Sequence, residues 1–190
     1  MDLKEIIPFR RNVKPQFFTG EQIEDLDVKE ILESANWAPT HGYTEPWRFI
    51  VFSGESISNL ATFQSNLYKS KTSTESFQQI KFDKLVNTPS LASHIIAVVV
   101  HKSVNTTIPL LEEIVATSCA VQNVLLSAAT KEISVHWTSG GMTYTDEMKN
   151  YLGFEEKDRV IGFLYLGKSD HRINKEGRRL TTIESKTIWK

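Results

Sequence analysis

The sequence predicts one domain of α+β or α/β class built on a single sheet. Its 190 residues contain no dividing linker and no internal repeat, so one core is the simplest arrangement. Three or four strand-like segments are interleaved with amphipathic helical ones. The firmest of them, His94–His101, encloses IIAVVV, the β-branched run expected of a strand buried on both faces.

The elements follow in order. Asp2 suits the cap of a short helix whose Leu3, Ile6 and Ile7 share a face, ending near Pro8. An irregular segment, Arg10-Arg11-Asn12-Val13-Lys14, is closed by Pro15. Thr19 suits the N-cap of a helix running to Trp37, with Gln22 as capping-box partner. Pro39 stops that helix, and a loop carrying His41, Tyr43 and Glu45 leads through Pro46 into a Trp47–Phe52 strand. Leu60, Phe63 and Leu67 suit one further helix, and Phe77, Ile80 and Leu85 another. The polar stretch Lys69–Ser76 between them reads as a lid or a plain surface linker. Pro109 opens a long helix to residue 131, with Glu112 and Glu113 complementing its dipole. Its expected apolar stripe is Leu111, Val115, Cys119, Gln122, Leu126 and Ala129, with Ala116, Ala120 and Ala128 allowing close packing. Ile133–Trp137 is a short strand, Thr138–Gly141 a turn, Asp146–Leu152 a short helix and Arg159–Leu166 a strand. From Lys168 to Lys190 no core-forming period remains, although Leu180, Ile183, Ile188 and Trp189 call for a surface to pack on.

Composition narrows the function. Apolar content of 40% with 24% charged residues describes a globular chain, and a net charge of −1 argues against nucleic-acid or anionic-membrane binding. The lone Cys119 has no partner for a disulfide, and MDLKEIIPFRR is acidic where a signal peptide is basic; the expected location is cytoplasmic. No Gly-rich dinucleotide fingerprint, P-loop, G-x-S-x-G elbow or metal-spaced Cys/His pair is present.

Three segments carry chemistry. Arg10, Arg11 and Asn12, with Lys14, suit the fork-like grip of a phosphate, or form a solvated basic turn. In the opening loop, His41 can donate or accept near neutral pH and Glu45 can accept from an imide-like ring edge; the plain alternative is an exposed loop entering a core strand. At a strand end, Trp137, Thr138 and Ser139, followed by Gly140 and Gly141, offer N–H groups, hydroxyls and close approach to a flat ligand, or simply a tight turn.

In this order and at these separations the segments resemble the FMN-dependent nitroreductase family, in its small-subunit NAD(P)H nitroreductase branch. The matching pieces are RRNVK at 10–14, APTHGYTEPWRFIV at 38–51, HWTSGG at 136–141 and VIGFLYLG at 160–167. The resemblance implies an α+β fold, an α/β/α sandwich with a mixed central sheet, assembled as an intertwined homodimer with FMN at the interface. One domain would span 1–190, with 168–190 an arm across the partner subunit. FMN would be held by Arg10, Arg11, Asn12 (where serine is usual), Lys14, His41, Glu45 (where glutamine is commoner), Trp137, Thr138, Ser139 and Arg179. His41 and Glu45 would reach the partner's flavin.

The implied activity is hydride transfer from NADH or NADPH to flavin N5, then electron transfer to a nitroaromatic, quinone or similar small acceptor. No protein nucleophile is needed, since the cofactor carries the chemistry. The alternative is a flavin-binding or interaction protein with little turnover. Tyr43, Phe63, Tyr68 and Phe77 are candidates for an aromatic pocket.

Overall fold

A computed structural model describes residues 2–104, 107–170 and 177–190. Two apolar clusters, one on each face of a four-stranded sheet, hold it together. The strands are β1 (Trp47–Ser53), β2 (His94–Val100), β3 (Ser134–Thr138) and β4 (Arg159–Gly167), in the order β1-β2-β4-β3. Side chains alternate across the pleat. Ile96, Val98, Leu164, Leu166 and Val135 enter one cluster, and Ile95, Ala97, Val99, Phe163 and Tyr165 the other. Every residue of β2 is buried, as its β-branched run requires.

Neighbouring strands all pair antiparallel. The parallel component expected of a mixed sheet is confined to one bridge, between Asn12 and Val135. That bridge fastens the segment after α1 (Leu3–Phe9) to the free edge of β3, and Val13 N–H donates to Val135 O at 3.0 Å.

Helices α2 (Asp25–Glu33) and α5 (Leu110–Thr130) cover one face. On the other side lie α3 (Glu55–Lys71), α4 (Gln79–Asn87) and α6 (Asp146–Tyr151). The expected Thr19 helix start is displaced to Asp25, because local and long-range bonds claim the intervening backbone. Thr19 Oγ1 accepts from Glu21 N–H at 3.3 Å, and Ile23 N–H donates to the buried Ser93 Oγ at 2.8 Å. Ser93 in turn meets His94 Nδ1, whose Nε2 meets Asp25, each at 2.9 Å. With its hydroxyl buried and already accepting Ile23, this Ser-His-Asp chain pins α2 to β2. The helix finishes as a 3-10 turn through Trp37.

The apolar stripe expected of α5 needs a second correction. Its buried face is Glu113, Ala116, Thr117, Ala120, Val121, Val124, Leu125, Ala128 and Ala129; it includes Ala129 of the expected stripe and the three alanines expected to allow close packing. Leu111 and Val115 point away, 70% and 53% exposed, and Gln122 is exposed too. By length and composition α5 could cross a membrane, yet here it packs on the sheet. Of Lys69–Ser76, the first three residues complete α3, so the connecting loop is shorter than the composition suggests. Within the C-terminal arm, 171–176 lies outside the described residues; Leu180, Ile183, Ile188 and Trp189 are exposed.

Candidate functional site

The site forms where the chain leaving α1 meets the end of β3. Arg10 caps the C-terminus of α1, its N–H donating to Ile6 O at 3.0 Å. Burial, and then the neighbouring positive charges of Arg11 and Arg179, push the Arg10 guanidinium below its usual pKa. The side chain of Arg11 folds back to Pro8 O and, at 2.7 Å, Arg10 O. Gly177 lies against the Arg11 guanidinium so closely that a Cβ there would stand 2.7 Å from Nη2. Residues far apart in sequence thus bring three arginines into one electrostatic cluster.

Asn12 joins this cluster to the strand end. Trp137 N–H donates to its Oδ1 at 2.7 Å, spanning 125 positions of sequence. The residue thereby holds the Trp137–Ser139 segment in place. Beyond Thr138 the turn is tied by Gly140 N–H to Thr138 Oγ1 (3.4 Å) and by Thr143 Oγ1 to Gly140 O (2.7 Å).

Beside this turn is a cavity of about 430 Å³, within the usual range of small-molecule sites. Its strand side is His136, Thr138, Gly140, Gly141, Phe163 and Tyr165. The facing wall is Gln64 and Tyr68 of α3 with Lys81, Lys84, Leu85 and Thr88 of α4. Burial, reinforced by the charge of Lys14, lowers the His136 pKa, so its imidazole is neutral at pH 7. Its buried Nδ1 has no hydrogen-bond partner. Burial also pushes Tyr165 up to about 12, which keeps the phenol protonated.

The opening loop lies elsewhere. His41 and Glu45 are exposed, and His41 Nδ1 pairs with Glu112 of α5 at 2.6 Å. Gly42, Tyr43 and Glu45 all have left-handed backbones, with φ of 59°, 51° and 42°. For Tyr43 and Glu45 that conformation is strained by roughly 1–2 kcal/mol each. Tyr43 is 91% exposed. Of the aromatic candidates Tyr68 alone lines the cavity. Phe63 stacks on Tyr151 at 4.0 Å, and Phe77 packs behind Tyr68 at 5.5 Å.

Thr138 therefore lies in the cavity wall, Arg10, Arg11 and Arg179 form the cation cluster, and Asn12, Lys14 and Trp137 connect the two. Ser139 is exposed in the turn. Sequence reasoning singled out Gly141 with its turn but missed His136, Lys81 and Lys84. Period-two alternation from Thr138 would have found His136, and the i, i+3, i+4, i+7 spacing of Lys81, Lys84, Leu85 and Thr88 marks one helix face.

Comparison with known proteins matches residues 7–168 to the Nitroreductase family model. The chain belongs to the nitroreductase family. It is 30% identical over 173 residues to a Bacillus subtilis (strain 168) protein provisionally named NAD(P)H nitroreductase YfhC, covering 88% of this chain and 84% of that one. A second relative, provisionally named NAD(P)H nitroreductase YdjA of Escherichia coli (strain K12), is 32% identical over 149 residues, 78% of this chain and 76% of that one. Among solved structures, a nitroreductase-like family protein from Bacillus cereus superposes with a TM-score of 0.86 at 26% identity, covering 100% and 96% of the two chains. The FMN-dependent nitroreductase NfnB of Mycobacterium smegmatis, solved in complex with NADPH, has the same fold, with a TM-score of 0.74 at 19% identity over 98% and 97%. This nitroreductase chain thus has the sandwich that the sequence resemblance implied.

Proposed function

We propose that this chain is an FMN-dependent NAD(P)H oxidoreductase of nitroreductase type. The observation that carries the reading is the cluster of Arg10, Arg11 and Arg179, followed in the chain by Asn12, whose hydrogen bond to Trp137 ties it to a strand end that borders a partly aromatic cavity. A phosphate and a planar ring on one ligand fit those two features, and the FMN-dependent relative of the same fold supports the choice of ligand. The chemistry FMN supplies when bound is two-electron transfer, with hydride taken from a nicotinamide and electrons passed to a nitroaromatic, quinone or similar small acceptor.

The protein's part is binding and electrostatics. The arginines hold the phosphate through charge-assisted forks. Asn12 fixes Trp137, and with it the peptide groups of Thr138 and Ser139 that border the ring. Lys14 places positive charge beside His136, which favours negative charge on the ring's pyrimidine end. The neutral His136 supplies one ring nitrogen for hydrogen bonding without adding charge.

His41 and Glu45 serve the flavin of a second copy in a homodimer. Support comes from apolar surface that a single chain leaves uncovered: Leu111 and Val115 on α5, Tyr43 in the strained loop, and Trp189 in the arm, 92% exposed. The chain is then a single domain, with residues 168–190 extending as an arm over its partner.

Two outcomes test this. The purified protein should be yellow and should bleach with NADH or NADPH. A yellow protein reduced by neither would favour a flavin-binding protein without turnover, and a colourless one that FMN cannot reconstitute would end both readings. On dilution to monomer, measured by sedimentation, FMN fluorescence should appear as flavin is released. A monomer that keeps its flavin would remove His41 and Glu45 from the site.

A further inference from the structure

We propose that the substrate entering this cavity carries an anionic group, and that Lys81 and Lys84 are specificity-determining residues that hold it. The inference rests on the flavin-dependent reading above, and concerns the wall of the cavity facing away from the arginine cluster.

Lys81, Lys84, Leu85 and Thr88 stand on one face of α4, and all four line the cavity. Four lysines of the chain have acidic partners: Lys71 with Glu147, Lys102 with Glu113, Lys131 with Asp27 and Glu30, Lys149 with Asp146. Among the described residues Lys81 and Lys84 have none. Asp83, which lies between them in sequence, instead accepts from Gln79 Nε2 at 2.7 Å and does not line the cavity. Among the described residues no Asp or Glu lines it either.

The other titratable walls do not offset the two charges, because His136 is neutral and Tyr165 is protonated. Two like charges one helical turn apart, exposed at the rim of the cavity, oppose each other, and an anion bound between them relieves that opposition. Phe163, Tyr165 and Tyr68 suit a planar body. The fitting ligand is a flat ring bearing a carboxylate, sulfonate or phosphate. The anion can come from the electron acceptor or from the dinucleotide reductant; FMN has its own phosphate grip at Arg10, Arg11 and Arg179.

The test compares wild-type holoenzyme with Lys81→Gln/Lys84→Gln, which removes both charges and keeps a polar side chain of similar helix propensity. We would measure kcat/KM for 4-nitrobenzoate and nitrobenzene with NADH, and for NADPH and NADH with nitrobenzene. Flavin content and direct titration of 4-nitrobenzoate would accompany them. The expected result is a fall of about tenfold or more in the 4-nitrobenzoate to nitrobenzene ratio and in 4-nitrobenzoate affinity. The wild-type preference itself should shrink as salt is raised. A fall confined to the NADPH to NADH ratio supports the proposal with the reductant phosphate as the anion. Unchanged ratios in both pairs overturn it, and so does loss of FMN from the variant, which would assign the lysines to the cofactor. If wild-type protein neither holds FMN nor turns over, the flavin reading fails, and the titration of 4-nitrobenzoate still decides the role of the lysines.

Discussion

Replacing Arg10 by alanine should weaken FMN binding by about 10- to 150-fold, the loss of one charge-assisted contact worth about 1.5–3 kcal/mol. The expectation follows from where Arg10 sits. It is half-buried at the end of α1, and its guanidinium shares its surroundings with Arg11 and Arg179. Without an anion those charges oppose each other. Arg10→Ala should therefore weaken FMN binding while leaving the apoprotein no less stable, a combination that ordinary packing loss does not produce. Riboflavin, which lacks the phosphate, should lose far less affinity than FMN. Arg10→Lys should fall between, since lysine keeps the charge but not the planar fork. Flavin fluorescence quenching reads all three affinities. Equal losses for riboflavin and FMN would place Arg10 away from the phosphate.

How much of this was legible in the sequence depends on whether the deciding physics is local. The β-branched run of β2, the Pro109 helix start and the Asp2 cap were read directly, because each is a local preference that the tertiary structure reinforces. Thr19 misled for the opposite reason: residues around it are bonded to Ser93 and Lys168, and no local rule sees those partners. The stripe on α5 was placed only in part because two apolar faces compete on one helix: Ala129 and the close-packing alanines are buried, Cys119 and Leu126 half-buried and Gln122 exposed. Alanines won the sheet, since short side chains allow closer approach, and Leu111 and Val115 were left outside. In the site, RRN and HWTSGG were visible as separate pieces. What joins them, the Asn12–Trp137 bond and the passage of Gly177 beside Arg11, exists only in the folded chain. Lys81 and Lys84 carried no signal beyond spacing, because their meaning depends on the acids that are absent around them.

Gly162→Ala should destabilise the protein and damage the site together. Gly162 lies on β4 opposite Val98, beside the register shift between Val98 and Val99. A Cβ there would stand 2.4 Å from Trp137 Nε1 and 3.0 Å from Thr138 O. Trp137 is partly buried against the core, so moving its indole gives up that packing, and the carbonyl can move only if β3 moves. Overpacking of this kind costs about 1–3 kcal/mol. For a chain of this size each kcal/mol lowers Tm by about 2–4 °C, so a fall of about 2–12 °C is expected. Because Trp137 and Thr138 lead into the Gly140–Gly141 turn, FMN affinity should fall as well. Gly167→Ala separates the two effects. Its Cβ would meet Phe18 Cδ2 at 2.4 Å and Phe18 Cβ at 3.0 Å, at the opposite end of the pairing, where Gly167 faces Ser134. It should lose a comparable Tm and bind FMN normally well below its midpoint. If Gly162→Ala keeps wild-type affinity for FMN, the strand end does not border the flavin. If Gly167→Ala loses as much affinity as Gly162→Ala, the damage is a general loosening of the sheet and not the displacement of Trp137.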